Sequence, residues 1–161
     1  DLDKMHEEFY LSMKMIEKLE VLNISKDKVI TVENLTSFYS LNDESSIIIY
    51  LGGFHNFAKR ELIRKIYKFN PHLQFYHFGD IDYGGIEILF DLRNKTGINF
   101  QPLMMGVSEL KKYQNECLPL TENDKRKLEL LLADKTFIEF RDVIEYMLLH
   151  NIKLEQESIE D

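Results

Sequence analysis

Apolar residues at Leu2, Met5, Phe9, Met13, Ile16 and Leu19 recur every three or four positions, which predicts an amphipathic helix over about residues 1–22. The period then changes. Val29-Ile30-Thr31-Val32 is a short β-branched run closing at Glu33-Asn34, and it reads as a buried strand. Leu35, Phe38 and Tyr39 fit a short helix, and Asn42 to Ser46 a turn. Ile47 to Leu51 is a second apolar strand that stops at Gly52-Gly53. Ala58, Leu62, Ile66 and Phe69 mark a helix from His55 to Phe69. A third strand, about Leu73 to Phe78, runs into Gly79-Asp80-Ile81-Asp82. Gly84-Gly85 opens a helix through Ile86, Leu89 and Phe90 that ends near Gly97, and Ile98 to Leu103 is a weaker fourth strand. Beyond it, Thr121 with Asp124 has the form of a capping box ahead of Leu128, Leu131 and Leu132. Phe137, Phe140, Ile144, Met147 and Leu148 form the apolar face of one last long helix.

Strands alternating with helices at this spacing predict an α/β fold, a parallel sheet of about four strands flanked by helices. The organisation expected is a single domain with a core over about 28–105, the N-terminal helix 1–22 and a C-terminal helical extension 107–161. The first residue is Asp1 rather than Met, so a C-terminal fragment of a longer protein is expected. The tail from Leu154 to Asp161 is acidic.

Charge and composition narrow the picture little. Twenty Lys and Arg against 28 Asp and Glu leave a net charge of −8, which argues against non-specific DNA binding by the chain as a whole. A local basic face survives such a balance: Lys59, Arg60, Arg64, Lys65 and Lys68 share one helix with a single acid, Glu61. Arg60, Arg64 and Lys68 are spaced by four, so they form a stripe that reads either as a phosphate-tracking surface or as an ordinary solvated face. The lone Cys117 excludes an internal disulfide framework and fits a reducing, cytoplasmic setting. Neither a signal peptide nor a membrane-length apolar run is present.

The chemistry concentrates at strand ends. Asp80 and Asp82 sit one residue apart where strand three meets a glycine-rich turn, and ligands collect at the carboxyl ends of parallel strands. Two anions this close repel unless a cation or proton lies between them. Mg²⁺ suits hard oxygen ligands and keeps waters that a phosphate replaces. Glu33 ends strand one as Asp80 ends strand three, so neighbouring strands would bring three carboxylates together. Taken singly, Glu33 is also a solvated strand end and Asp82 a helix N-cap. The histidines lack zinc spacing, and no phosphate-binding G-x-x-x-x-G-K-[ST] loop occurs. His77, between Tyr76 and Phe78, reads as packed or hydrogen-bonded, and Tyr83 as a packing ring rather than a nucleophile.

ITVEN with Glu33 and FGDIDYGG with Asp80 and Asp82 resemble the Toprim domain of topoisomerases, primases and certain nucleases. The form is closest to the topoisomerase VI A subunit, although Tyr83 stands where those relatives have proline. ITVENLTSFY, YLGGF, HFGDIDYGGIEIL and KLEQESI together resemble the C-terminal domain of the JetD family, the nuclease subunit of the Wadjet plasmid-defence system. The resemblance implies a Toprim-like fold and an Mg²⁺-dependent DNA endonuclease, with Mn²⁺ substituting. It implies Glu33, Asp80 and Asp82 as the catalytic and metal-binding set, with Glu33 as general acid/base and the Asp pair as the main Mg²⁺ ligands, and Glu155 or Glu157 as auxiliary acids. It also implies DNA, a homodimer of the full-length protein and a condensin-like motor as partners. Two other readings stay open: a non-catalytic Toprim module, and a topoisomerase VI A-like strand-breaking domain. A receiver-like domain ranks lower, since Met104-Met105-Gly106 stands where a lysine would be wanted.

Overall fold

The computed structural model describes residues 11–20, 22 and 24–159. Half of the predicted N-terminal helix, residues 1–10 and 21, lies outside them. Within it the structure places a short helix α1, Met13–Glu17, whose first turn is capped by the Ser12 side chain.

Strand β1, Lys28–Val32, is buried from Val29 to Val32 without alternation, the pattern of a central parallel strand covered on both faces. After it come α2 (Leu35–Ser40), β2 (Ser46–Tyr50), α3 (Phe57–Phe69) and β3 (Gln74–Phe78). They are followed by α4 (Tyr83–Thr96) and β4 (Gln101–Pro102). All four strands are parallel and lie in the order β2-β1-β3-β4. Val32 is level with Tyr50 on one side and Phe78 on the other, so the three long strands end together. The chain leaves β1 towards β2 and leaves β3 towards β4, in opposite directions across the sheet. The carboxyl ends of β1 and β3 therefore flank a topological switch point, where diverging connections open a crevice.

Two expectations are corrected. The predicted fourth strand over Ile98 to Leu103 shortens to Gln101–Pro102, because Pro102 has no N–H for a ladder and Phe100 donates locally to the Ile98 carbonyl. The predicted last long helix is broken. A 3-10 turn over Lys135–Phe140 precedes α7, Arg141–His150, and Phe137 leaves helical geometry at φ −96°, ψ 18°. Asp134 ends the preceding helix and caps the new turn through the Thr136 N–H, which makes the break local in origin.

The C-terminal half packs on the sheet domain through α5 (Val107–Lys112), α6 (Glu122–Ala133) and α7. The Thr121–Asp124 capping box opens α6 as the sequence predicts. Leu128, Leu131, Ile144 and Met147 join Val29, Ile30, Phe75, Leu89 and Phe100 in one buried cluster. A two-stranded antiparallel ribbon, β5 (Leu118–Pro119) with β6 (Ile152–Lys153), returns the chain from α7 towards the sheet. Among the described residues no helix is long and apolar enough to cross a membrane.

Candidate active site

Glu33 is the first residue past β1 and Asp80 the second past β3, so the aligned strand ends bring them to the same edge beside the switch point. Asp82 is the N-cap of α4, its Oδ1 accepting from the Gly85 N–H at 2.8 Å. Both readings of Asp82 thus hold together, because the cap engages one carboxylate oxygen only. The same division recurs at its neighbours. Asp80 Oδ1 accepts from the Gln156 N–H at 2.7 Å, and Glu33 Oε1 lies 3.0 Å from His77 Nε2. Among the described residues the second oxygen of each carboxylate takes no protein hydrogen bond, and neither Asp80 nor Asp82 has an ion-pair partner.

Burial at this edge is electrostatically costly. Glu33 is pushed up to about 8, first by desolvation and then by the Asp82 charge. Asp80 is pushed up to about 6 by desolvation, with Glu33, Asp82 and Glu155 adding repulsion and the Gln156 N–H opposing them. His77 is fully buried and held down at about 3 by desolvation and then by Arg93, so it stays neutral. Its contact with Glu33 is a hydrogen bond rather than an ion pair. His77 Nδ1 lies 2.9 Å from Thr31 Oγ1, itself within 3.2 Å of the Tyr76 carbonyl oxygen. With Glu33 protonated, its O–H donates to Nε2, Nδ1–H donates to Thr31, and Thr31 donates to the carbonyl. With Glu33 ionised, the other tautomer donates Nε2–H to the carboxylate and accepts from Thr31. Either proton state of Glu33 is therefore held at one position.

This chain of groups sets a pH dependence. Glu33 and Asp80, raised in the fold, bind protons that the unfolded chain has released, so each lowers stability as pH rises towards its folded value. His77 acts oppositely between about 3 and 6.5, where the unfolded chain binds the extra proton. Above about pH 6.5 the Glu33 contribution is left alone of the three. Without divalent metal, stability by urea unfolding is expected to fall from pH 6.5 to 8, and Glu33→Gln is expected to flatten that slope.

The donor set suits a hard cation that keeps part of its water shell. Among the described residues no three His, Cys, Asp or Glu side chains form a ready-made metal cage. Zinc wants a closed tetrahedral set, whereas Mg²⁺ is held by one or two carboxylates with waters and phosphate completing its shell. Asp80 and Asp82, close enough to repel and without an ion-pair partner among the described residues, could hold such an ion.

The remaining predicted residues are more dispersed. Glu155 and Glu157 are exposed, and Glu157 Oε2 accepts from Asn34 Nδ2 at 3.1 Å, next to Glu33. On α3, Lys59 donates to the Leu51 carbonyl and lies over the Tyr50 ring, while Arg60 donates to the His55 carbonyl at 2.8 Å. Arg64 pairs with Glu61 and reaches the Lys95 carbonyl; Lys68 is exposed beside Phe69. Because α3 descends from the carboxyl edge of β2, Lys59 and Arg60 lie at the site's end of the sheet. Lys68 is about 13 Å further along the axis.

Sequence reasoning gave no role to Thr31 or Gln156; it read His77 as packed or hydrogen-bonded, and the structure shows it to be both. The register Thr31↔His77 is the signal that pairs Thr31 with His77, and it appears only once β1 and β3 are adjacent. It also missed Gly79, where an added Cβ would lie 2.0 Å from Glu33 Oε1 and 2.9 Å from His77 Nε2.

Comparison with known proteins places the chain in a family. The family described as Wadjet protein JetD, C-terminal, matches residues 2–161. Among curated proteins, the Wadjet protein JetD of Bacillus cereus (strain Q1) is 28% identical over 155 residues, which cover 94% of this chain and 38% of that protein. The chain thus spans well under half the length of this relative.

Proposed function

Because the chain belongs to the family of Wadjet protein JetD C-terminal domains, we propose that it is a Toprim-like DNA endonuclease domain dependent on Mg²⁺, acting in plasmid defence by hydrolysis of phosphodiester bonds. The observation that carries this reading is the set of three carboxylates at the ends of β1 and β3. They stand beside a switch point, are partly buried, and among the described residues no basic side chain neutralises the Asp pair. Asp80 and Asp82 would hold the ion, which when bound would supply positive charge to the phosphate being cut. Glu33, kept in place by His77, takes a proton at its carboxylate from the attacking water and returns one to the leaving oxygen. Lys59 and Arg60 lie at the edge a DNA backbone would cross; Arg64 and Lys68 would meet it only along a path following α3. The partners on this reading are DNA, a second copy of the full-length protein and a condensin-like motor.

A non-catalytic module is the second reading, favoured by the lack of a ready-made three-ligand cage among the described residues. Plasmid cleavage by the complete protein with its partners separates the two. The nuclease reading expects cutting with Mg²⁺ or Mn²⁺, none with EDTA, and none from Asp80→Asn/Asp82→Asn. Cutting by that double variant at the normal rate would contradict it.

A further inference from the structure

We propose that Gln156 is a positioning residue that closes the crevice between β1 and β3 and fixes both halves of the acidic site, so that the cation site is completed by the C-terminal segment. The inference rests on the metal-site reading for its consequence but not for its geometry.

Gln156 is wholly buried although it is polar and lies close to the end of the chain. Its side-chain amide and its main-chain N–H all reach a strand end, while its carbonyl accepts from the Ile159 N–H within the 3-10 turn. Its side-chain Nε2 donates to the Phe78 carbonyl at 2.8 Å, at the last residue of β3. Its Oε1 accepts from the Asn34 N–H at 3.0 Å, directly after Glu33. Its main-chain N–H donates to Asp80 Oδ1 at 2.7 Å. One residue therefore spans the place where the sheet's connections diverge and where no strand hydrogen bond can form. The segment that carries it is anchored on both sides. Leu154 exchanges two main-chain hydrogen bonds with Ile81, between the two aspartates, at 2.8 and 3.2 Å. Lys153 pairs with Asp124 at 3.2 Å, and Asn34 Nδ2 holds Glu157. A buried amide engaged at both its donor and its acceptor end is a rigid element, and groups that orient metal-ligating carboxylates typically change affinity about 10–100-fold when lost.

Two substitutions separate its contributions. Gln156→Ala removes the side-chain bridge and keeps the N–H to Asp80. Gln156→Pro removes both. Proline suits the position, since Gln156 starts a 3-10 turn and Glu155 before it has φ −78°, ψ 139°, the extended geometry that proline demands of its predecessor. In the 161-residue chain without metal, hydrogen exchange at the Asn34 amide is expected to speed up at least about tenfold in both variants, with the interior amides of β1 and β3 unchanged. Mn²⁺ affinity, measured by electron paramagnetic resonance where each variant is folded, should weaken in the order wild type, Ala, Pro, with Pro about tenfold or more below wild type. Unchanged exchange at Asn34, or equal Mn²⁺ affinity in all three, overturns the proposal. If the proline chain does not fold, exchange and affinity of the alanine variant decide it. If wild type itself binds no Mn²⁺, the nuclease reading falls and the bridge stands or falls on exchange alone.

Discussion

Glu33→Gln is expected to lower DNA cleavage by the complete protein by roughly 10²–10⁴-fold, the usual weight of a positioned general acid/base, while leaving the fold intact. The substitution keeps the size and shape of the side chain. Its amide still bonds to His77, since the imidazole can present either a donor or an acceptor at Nε2 while Thr31 adapts at Nδ1. What disappears is the capacity to move a proton and the charge beside Asp82. Loss of activity with equal or greater stability at pH 8 is the signature expected, because a buried carboxylate raised to about 8 costs stability when it ionises. A variant that cuts at the normal rate would remove Glu33 from the mechanism.

Gly85→Ala is expected to give the largest loss of stability, and Gly79→Ala a large loss of activity with a smaller one. At Gly85 an added Cβ would lie 2.1 Å from the Asp80 carbonyl oxygen and 3.0 Å from its carbonyl carbon and nitrogen. These are backbone atoms, so α4 must move off the loop that carries both aspartates. Overpacking of this kind costs about 1–3 kcal/mol or more, and about 3 kcal/mol corresponds to roughly 6–12 °C in Tm for a chain of this size. At Gly79 the added Cβ meets the flexible end of the Glu33 side chain. The carboxylate can swing aside, but only by leaving His77. Thermal unfolding and cleavage measured side by side distinguish the two glycines, and equal stability of Gly85→Ala and wild type would show that the loop accommodates the methyl.

The contrast between these residues explains what was legible in the chain. The strands of the core announce themselves because β1 to β3 are short apolar runs bounded by turns. The acids stand out because they fall where those runs stop. The Asp82 cap and the Thr121–Asp124 box are local patterns, complete within four residues, and both read true. The break at Phe137 was hidden because its apolar spacing continues across it. The capping by Asp134 that causes it competes with helix continuation in a way that periodicity does not register. Strand four was overextended because the apolar positions Ile98, Phe100 and Leu103 were given more weight than Pro102, which withholds a donor. Thr31, His77 and Gln156 were obscured for a different reason. Their roles depend on contacts 46, 44, 78 and 122 residues apart in sequence, fixed only by strand order and by the return of the C-terminal segment. Gly79 belongs with them, since its requirement for hydrogen comes from the Glu33 side chain, just past the end of β1.

The claim on which the rest depends is that Asp80 and Asp82 hold a divalent ion. Asparagine at both positions preserves the local structure: it caps helices as well as aspartate does, and its oxygen still accepts from the Gln156 and Gly85 N–H groups. Titrating Mn²⁺ into the chain with a short DNA duplex present, for wild type and Asp80→Asn/Asp82→Asn, tests that claim most directly. Saturable binding by wild type that the double variant loses is the predicted result. Equal binding by both, or binding by neither, would contradict it and leave a Toprim-like fold whose acids serve structure alone.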